Sequence, residues 1–312
     1  MTVQARPQRA RNWMQPILKS FRFRLAFTLI LIAVLAIRLD LGKILRTIAD
    51  FEPSLALFML TVNWLAMACF AKRWQSLASG LGFDVPFGLC LRAIWLANFL
   101  GQFGPSLVVA EATRFQMLRR KTGKTRLILS QILDRISGQI VLIAMVAGLA
   151  PFYDVEFTRR LWPAWSALAA LVGLGLLLPR LRKRLGQGSG QDFEQAMKLL
   201  GWRHLWGHYG LSVAIQSLLI LNFNLAALGI GVREPLAALF LLTPLLFAAL
   251  TLLPFTISDW GSREAASAIL LSPSGLDSET LVSVSVLYGL FHLLAVLPGG
   301  IFLLHRTPNE NR

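Results

Sequence analysis

The sequence predicts an all-α integral membrane protein with six spanning helices and two interrupted apolar hairpins. Hydrophobic residues make up 55% of the 312 residues and charged residues only 15%, whereas a soluble domain carries roughly 25% charged residues. The mean hydropathy is +0.59. Apolar stretches of spanning length recur along the chain, since a helix of about 20 residues crosses a hydrocarbon core of about 30 Å. Most of the chain is therefore expected to lie in a bilayer.

Six uninterrupted apolar stretches are the candidate spans. Two further apolar stretches, 87–118 and 236–270, are broken in the middle, the first at Gly104-Pro105 and the second at Pro254. Proline removes a backbone donor and clashes with the preceding helical turn. Short helical pieces follow the breaks, so we expect two re-entrant or broken-helix hairpins. The spans are predicted near residues 25–41, 54–71, 127–150, 161–179, 205–228 and 281–304, and the short pieces at 106–118 and 260–271.

The distribution of Lys and Arg predicts the orientation of these spans. With the N-terminus in the cytoplasm, the cytoplasmic segments hold 21 of these residues, and the outer segments together with Arg38 at the outer end of the first span hold six. The positive-inside rule then favours a multi-pass membrane protein with both termini cytoplasmic. The same rule explains the net charge of +15 without nucleic acid. The cytoplasmic segments are 1–24, 72–86, 119–126, 180–204 and 305–312, and the outer ones are 42–53, 151–160, 229–235 and 271–280.

The same order of elements occurs twice along the chain. Residues 25–150 run span, span, hairpin, span from the inside, and residues 161–304 repeat this order from the outside after a periplasmic linker, 151–160. In each half a proline precedes an arginine by nine residues, Pro105 before Arg114 and Pro254 before Arg263. The chain is therefore predicted to contain two inverted-topology repeats between a basic N-terminal segment and a short tail.

Charged residues inside the apolar stretches are the candidate functional groups. Glu111 and Arg114, and likewise Asp259 and Arg263, are one helical turn apart, so local pairing is feasible. Two interpretations stay open: the pairs pin the hairpins into the bundle, or they line a cavity for an anionic group that an arginine fork would bind. The intramembrane charges are Arg92, Glu111, Arg114, Asp134, Arg135, Asp259, Arg263 and Glu264.

Other motifs carry less weight. Gly123-Lys124-Thr125 ends like a nucleotide-binding loop, but Leu118 stands where its first glycine should be. His204 and His208 share a helix face without a third metal ligand. No cofactor or metal is predicted.

Two signatures and a closing motif resemble the flippase-like family, which includes the transmembrane region of lysylphosphatidylglycerol synthases. The first signature is Asn98-x6-Pro105-Ser106-x4-Glu111-x2-Arg114 followed by Leu133-Asp134-Arg135-x2-Gly138, and the second is Pro254-x2-Ile257-x2-Trp260-Gly261-x-Arg263-Glu264. Leu297-Pro298-Gly299-Gly300 resembles the closing motif. Family members usually carry Gly-Gly at Val109-Ala110 and glycine at Asp259.

The resemblance implies a stand-alone member in a bacterial inner membrane, which is expected not to be an enzyme. No stretch here matches the synthase's soluble domain, so lipid aminoacylation is not implied. The resemblance implies translocation of an anionic lipid or lipid-linked molecule between leaflets, with a phospholipid or polyprenyl-phosphate-type lipid as ligand and a lipid-biosynthesis enzyme as a second candidate partner. A membrane-embedded lipid-modifying enzyme and an accessory subunit are the alternatives. The expected substrate-binding residues are Asn98, Pro105, Ser106, Glu111, Arg114, Asp134, Arg135, Pro254, Asp259, Trp260, Arg263 and Glu264.

Overall fold

The structure is a computed structural model that describes residues 29–30, 33–35, 37, 39–104, 106–119, 122–152, 190–199, 205–234, 236–252 and 258–304. This part of the chain forms eleven α-helices with short 3-10 and π turns and contains no β-strand, which confirms the all-α class. The helices are α1 Leu41–Ala49, α2 Ser54–Gly80, α3 Phe87–Gly101, α4 Ser106–Leu118, α5 Lys124–Leu149, α6 Gly190–Leu199, α7 Gly210–Gly229, α8 Leu236–Leu252, α9 Ser262–Leu270, α10 Ser278–Val296 and α11 Ile301–Leu304.

Four helical segments are long and apolar enough to cross a membrane, and they coincide with four of the six predicted spans. Their outward faces carry exposed apolar side chains such as Leu57, Phe58 and Ile132, as expected for helices that contact lipid. The predicted span 161–179 lies outside the described residues, and most of 25–41 does too. The four segments are Ser54–Gly80, Lys124–Leu149, Gly207–Gly229 and Ser278–Gly300.

Both interrupted stretches are broken where the sequence predicts. Helix α3 ends at Gly101 and α4 begins at Ser106, while α8 ends at Leu252 and α9 begins at Ser262. Pro105 and Pro254 themselves lie outside the described residues. Helix α3 packs along α4, and α8 packs against α9. Each broken stretch thus forms a pair of helices in contact.

Helices occupy parts of three segments that the sequence predicts to lie outside the membrane. Helix α2 does not stop at residue 71 but continues to Gly80, because Arg73 is buried and paired instead of facing water. The predicted outer loop 42–53 contains α1, where the Asp40 side chain accepts a hydrogen bond from the Lys43 backbone N–H at 3.0 Å. The predicted cytoplasmic segment 180–204 contains α6.

Contacts between distant chain segments show that the described loops lie at two opposite ends of the bundle. At one end, Lys43 forms an ion pair with Asp277, and the Glu52 backbone N–H donates to the Gly229 carbonyl at 2.7 Å. At the other end, the side-chain amide of Gln195 in α6 donates to the Gly80 carbonyl at 2.7 Å. The described parts of segments 42–53, 229–235 and 271–280 therefore lie together, opposite the described parts of 72–86 and 180–204.

Helices α2 and α7 form the most extensive helix–helix contact, and they run antiparallel because the start of α2 meets the end of α7. Large apolar clusters fill the bundle on both sides of its middle. One contains Met59, Phe223 and Leu246, toward the end of the bundle that holds Lys43 and Asp277. The other contains Trp74, Ile94 and Leu118, toward the opposite end.

The closing motif forms the turn in which α10 ends. Residues Leu297–Gly300 make a 3-10 turn, and a Cβ on Gly299 would lie only 2.9 Å from the Cβ of Phe99. The indole N–H groups of Trp64 and Trp95 both donate to the Ala295 carbonyl at 3.0 Å. This turn therefore docks the end of α10 onto α2 and α3.

Candidate functional site

A cavity of about 400 Å³ lies within the bundle and is lined by charged and polar side chains from both halves of the chain. Helices α2, α3, α4, α5, α7, α8, α9 and α10 contribute to its wall, together with the turn before α9. Eight predicted site residues line it: Asn98, Ser106, Glu111, Arg114, Asp134, Arg135, Asp259 and Arg263. The sequence-based selection thus converges on one place in the fold.

Asp134 is the centre of the charged network in the first half. Its Oδ1 accepts a hydrogen bond from Arg73 Nε at 2.7 Å, and its Oδ2 accepts one from Arg114 Nη2 at 3.0 Å. All three residues are at least 95% buried. One carboxylate is therefore shared by two guanidinium groups, which leaves this group of three with a net positive charge at the cavity wall.

The other two nitrogen atoms of the Arg114 guanidinium, Nη1 and Nε, make only weak hydrogen bonds or none among the described residues. Its Nη1 lies 3.4 Å from both carboxylate oxygens of Glu111, at the long limit of a hydrogen bond. Its Nε is buried and has no hydrogen-bond partner in the structure. The guanidinium stacks over the Trp74 ring, 4.1 Å from the centroid. Arg114 is therefore held in place, while within the described part of the chain its Nη1 and Nε make no strong hydrogen bond.

Arg263 in the second half is held more completely than Arg114. Its Nη2 donates to Glu264 Oε1 at 3.0 Å and its Nε to Ser285 Oγ at 3.2 Å. Its guanidinium also lies over the rings of Trp260 and Tyr288, with centroid distances of 5.1 and 5.5 Å. A Cβ at Gly289 of α10 would overlap the guanidinium, so the absence of a side chain there makes room for it.

Arg263 does not form the ion pair with Asp259 that their spacing makes feasible. Within the described part of the chain, the carboxylate that lies within 4.0 Å of Arg263 is that of Glu264. The reason is the start of α9, where Glu264 turns back so that its Oε2 accepts the Gly261 backbone N–H at 2.5 Å. This cap brings the Glu264 carboxylate beside Arg263. The pairing of Glu111 with Arg114 is present at 3.4 Å.

The turn before α9 has a strained backbone and touches the other broken helix pair. Ser258 and Asp259 have φ values of 50° and 62°, in the left-handed region that costs non-glycine residues about 1 kcal/mol. The Ser258 hydroxyl donates to the Gln102 side-chain oxygen at 2.8 Å. Gln102 follows the end of α3, so the two breaks meet beside the cavity.

The remaining predicted site residues have different positions. Trp260 and Glu264 do not line the cavity but contact Arg263, which does. Arg135 lines the cavity with a half-exposed side chain 4.0 Å from Glu111. Pro105 and Pro254 lie outside the described residues. The Asn98 side-chain amide donates to the Ile94 carbonyl of its own helix.

Several cavity residues were missed by the sequence reasoning. Arg73 falls in the predicted cytoplasmic segment 72–86 and was not among the candidate site residues. His292 lies in a predicted span and lines the cavity, with its Nδ1 3.3 Å from Asn63 Oδ1. An ionisable residue inside a span is by itself a signal of function, and this signal could have found His292. Gln102 and Ser258 carry no such signal.

A bundle of membrane-length helices around a buried, charged cavity defines a multi-pass membrane protein with a polar site inside the membrane region. The chain belongs to the family described as the lysylphosphatidylglycerol synthase TM region, whose model matches residues 22–300. This confirms the resemblance drawn from the motifs and gives the protein a membrane lipid-related role. Comparison with curated proteins gave no match, and neither did comparison with solved structures.

Proposed function

We propose that the protein translocates an anionic lipid, or a lipid-linked anionic molecule, between the two leaflets. The observation that carries the proposal is Arg114, a buried guanidinium at the cavity wall with an unpartnered Nε. A charge at mid-membrane costs about 3 kcal/mol or more to insert. Such a residue with donors left over suits an anionic ligand that enters the cavity. The head group would pass through the cavity while the acyl chains stay in lipid.

The arrangement of the helices supports transport by alternating access. The order long helix, broken helix pair, long helix occurs twice, as α2 to α5 and as α7 to α10. The first long helices of the two sets, α2 and α7, run antiparallel. Two inverted repeats with re-entrant breaks at the midplane would share these features, and such repeats rock around a fixed site.

The charges at the cavity wall favour Arg114 as the first contact for the ligand. A phosphate can be gripped by a guanidinium in a two-bond fork, and Glu111 holds the Arg114 Nη1 only at 3.4 Å. Arg263 would have to leave Glu264 and Ser285 before it could do the same. A phospholipid or a polyprenyl-phosphate-type lipid would supply the anionic group.

Two other functions are distinguished by their products or partners. A membrane-embedded lipid-modifying enzyme would change the covalent structure of a lipid, and Glu111 is the half-buried carboxylate at the cavity that it would use. An accessory subunit would need a lipid-biosynthesis enzyme to act. Translocation is favoured because charged groups from both halves of the chain converge on one cavity.

The proposal is tested with purified protein in sealed liposomes of neutral lipid, so that the labelled anionic probe has no anionic competitor. The probe is a phosphatidate labelled on its acyl chain with a fluorophore that a membrane-impermeant reductant bleaches. The protein should make the inner-leaflet probe accessible to the reductant, and Arg114→Ala should not. Labelled phosphatidylcholine is the neutral control. A new lipid species that depends on Glu111 would overturn the proposal in favour of the enzyme.

A further inference from the structure

Arg73 is bonded so that it fixes the position of another arginine. Its Nε donates to Asp134 Oδ1 at 2.7 Å, and the other oxygen of the same carboxylate accepts from Arg114. Arg73 itself is 3% exposed. Since a carboxylate is rigid and planar, fixing Oδ1 also fixes the direction from which Oδ2 holds Arg114.

Arg73 is also bonded to the second half of the chain. Its Nη1 donates to Ser212 Oγ at 3.0 Å. Ser212 lies near the start of α7 and is fully buried. One side chain therefore connects α2, α5 and α7, and it links the helix that carries Asp134 to the half that must move in alternating access.

Gly138 in α5 makes room for the Arg73 guanidinium. A Cβ at this position would lie 3.1 Å from Arg73 Nη1, closer than an ordinary van der Waals contact. Gly138 is also the glycine that closes the motif Leu133-Asp134-Arg135-x2-Gly138. The spacing of the motif thus places a carboxylate and a glycine one helical turn apart, and both contact Arg73.

We propose that Arg73 is a positioning residue, which holds Arg114 in its ligand-binding geometry through Asp134 and ties this geometry to α7 through Ser212. The inference rests on the proposed function, because it assumes that Arg114 contacts the anionic group. It assigns Asp134 to the support of Arg114 rather than to the ligand. It also gives Ser212, which lies outside the cavity lining, a part in ligand affinity.

The test measures how the redistribution rate depends on the mole fraction of labelled phosphatidate in the liposomes. Arg73→Gln should raise the half-saturating mole fraction about tenfold, the effect of disturbing a charge-assisted hydrogen bond. Arg73→Lys should recover part of this loss. Ser212→Ala should raise the half-saturating fraction about threefold, since it removes one neutral acceptor. Gly138→Ala should act in the same direction by displacing Arg73.

Ser283→Ala is the matched control. Ser283 is as buried as Ser212, and each hydroxyl donates to the carbonyl four residues earlier in the chain, but Ser283 does not bond an arginine in the structure. A purely structural role for Arg73 would lower the amount of folded protein and leave the half-saturating fraction unchanged. If Arg73→Gln does not fold, the half-saturating mole fractions of Ser212→Ala and Gly138→Ala test the inference instead. Equal effects of Ser212→Ala and Ser283→Ala would overturn the inference.

A second measurement separates this inference from the proposed function. Binding of the same labelled phosphatidate is titrated against the detergent-solubilised protein, which needs no transport. If wild-type protein binds the probe but does not redistribute it, the proposed function fails while the variants still test the role of Arg73. If Arg73→Gln binds the probe as tightly as wild type does, the inference fails while translocation can stand. Absence of saturable binding by wild type would overturn both.

Discussion

Arg114 and Arg263 occupy corresponding positions in the two predicted repeats, but they differ in the contacts that hold them. Removing Arg263 leaves Glu264 buried, with Ser285 and the Gly261 N–H as its hydrogen-bond partners but without a cation. Removing Arg114 leaves Asp134 still paired with Arg73. Loss of one member of a buried pair costs about 3–5 kcal/mol when the remaining charge is uncompensated.

We therefore expect Arg263→Ala to destabilise the fold and Arg114→Ala to impair transport while most of the protein stays folded. Thermal unfolding of the detergent-solubilised variants, beside the liposome assay, measures both effects. Arg114→Lys should restore transport only in part, because an ammonium group lacks the planar fork. Equal melting temperatures for Arg114→Ala and Arg263→Ala would contradict this difference.

Asp259 stands where family members usually have glycine, and its φ of 62° shows what that exchange costs. Asp259→Gly should raise the stability of the folded protein by about 1 kcal/mol, since glycine adopts a positive φ without steric strain. The measurement is thermal unfolding in detergent. Gly261→Ala, at a φ of 83°, is the opposite exchange and should lower the melting temperature. A lower melting temperature for Asp259→Gly would show that the carboxylate stabilises the turn by more than its strain costs.

At the scale of the helices, the pattern of apolar residues and prolines was enough to predict the breaks between α3 and α4 and between α8 and α9. It was not enough to predict the end of α2. Lys72 and Arg73 look alike in sequence, but Lys72 is exposed and Arg73 is buried against α5 and α7. The partners of Arg73 are 61 and 139 residues away, so no local pattern could reveal them.

The candidate site was predictable to the extent that its residues lie inside apolar stretches or motifs. Arg114, Asp134 and Arg263 meet that condition and line the cavity. The partner of Arg263 was not predictable, because it depends on the fold-back of Glu264 onto the Gly261 N–H. Gln102 and Ser258 become neighbours only through the meeting of the two breaks.

The pair formed by Lys43 in α1 and Asp277 before α10 is a point where the two halves touch at one end of the bundle. If the halves rock apart there, a reducible cross-link between Lys43→Cys and Asp277→Cys should stop redistribution of the lipid probe, and reduction should restore it. The control links Lys43→Cys to Thr47→Cys, which lies one turn further along α1, and should leave transport unchanged. Undiminished transport in the cross-linked Lys43–Asp277 variant would show that this end does not open.

At the scale of the whole molecule, the sorting of the loops to two ends gives a topology that labelling can check. Single cysteines are introduced at exposed positions after replacement of Cys69 and Cys90 by alanine. Ala49→Cys and Ser272→Cys should react with an impermeant thiol reagent in intact cells. Ser79→Cys and Thr125→Cys should react only after permeabilisation, because their segments carry the cytoplasmic excess of Lys and Arg. Labelling of positions 49 and 125 from the same side would contradict the placement of their segments at opposite ends of the bundle.

The contact between Gly289 and Arg263 also limits how the gene can change. Every missense base change in a glycine codon adds at least a Cβ, and the guanidinium already occupies the space that this atom would need. Glycine within a helix costs about 1 kcal/mol relative to alanine, so helix propensity alone would favour its replacement. A side chain at position 289 would displace the Arg263 guanidinium from Glu264, so in a library of random variants selected for folded protein, codon 289 should be depleted of changes. The residues accepted at position 289 would thus depend on the volume of the side chain at position 263.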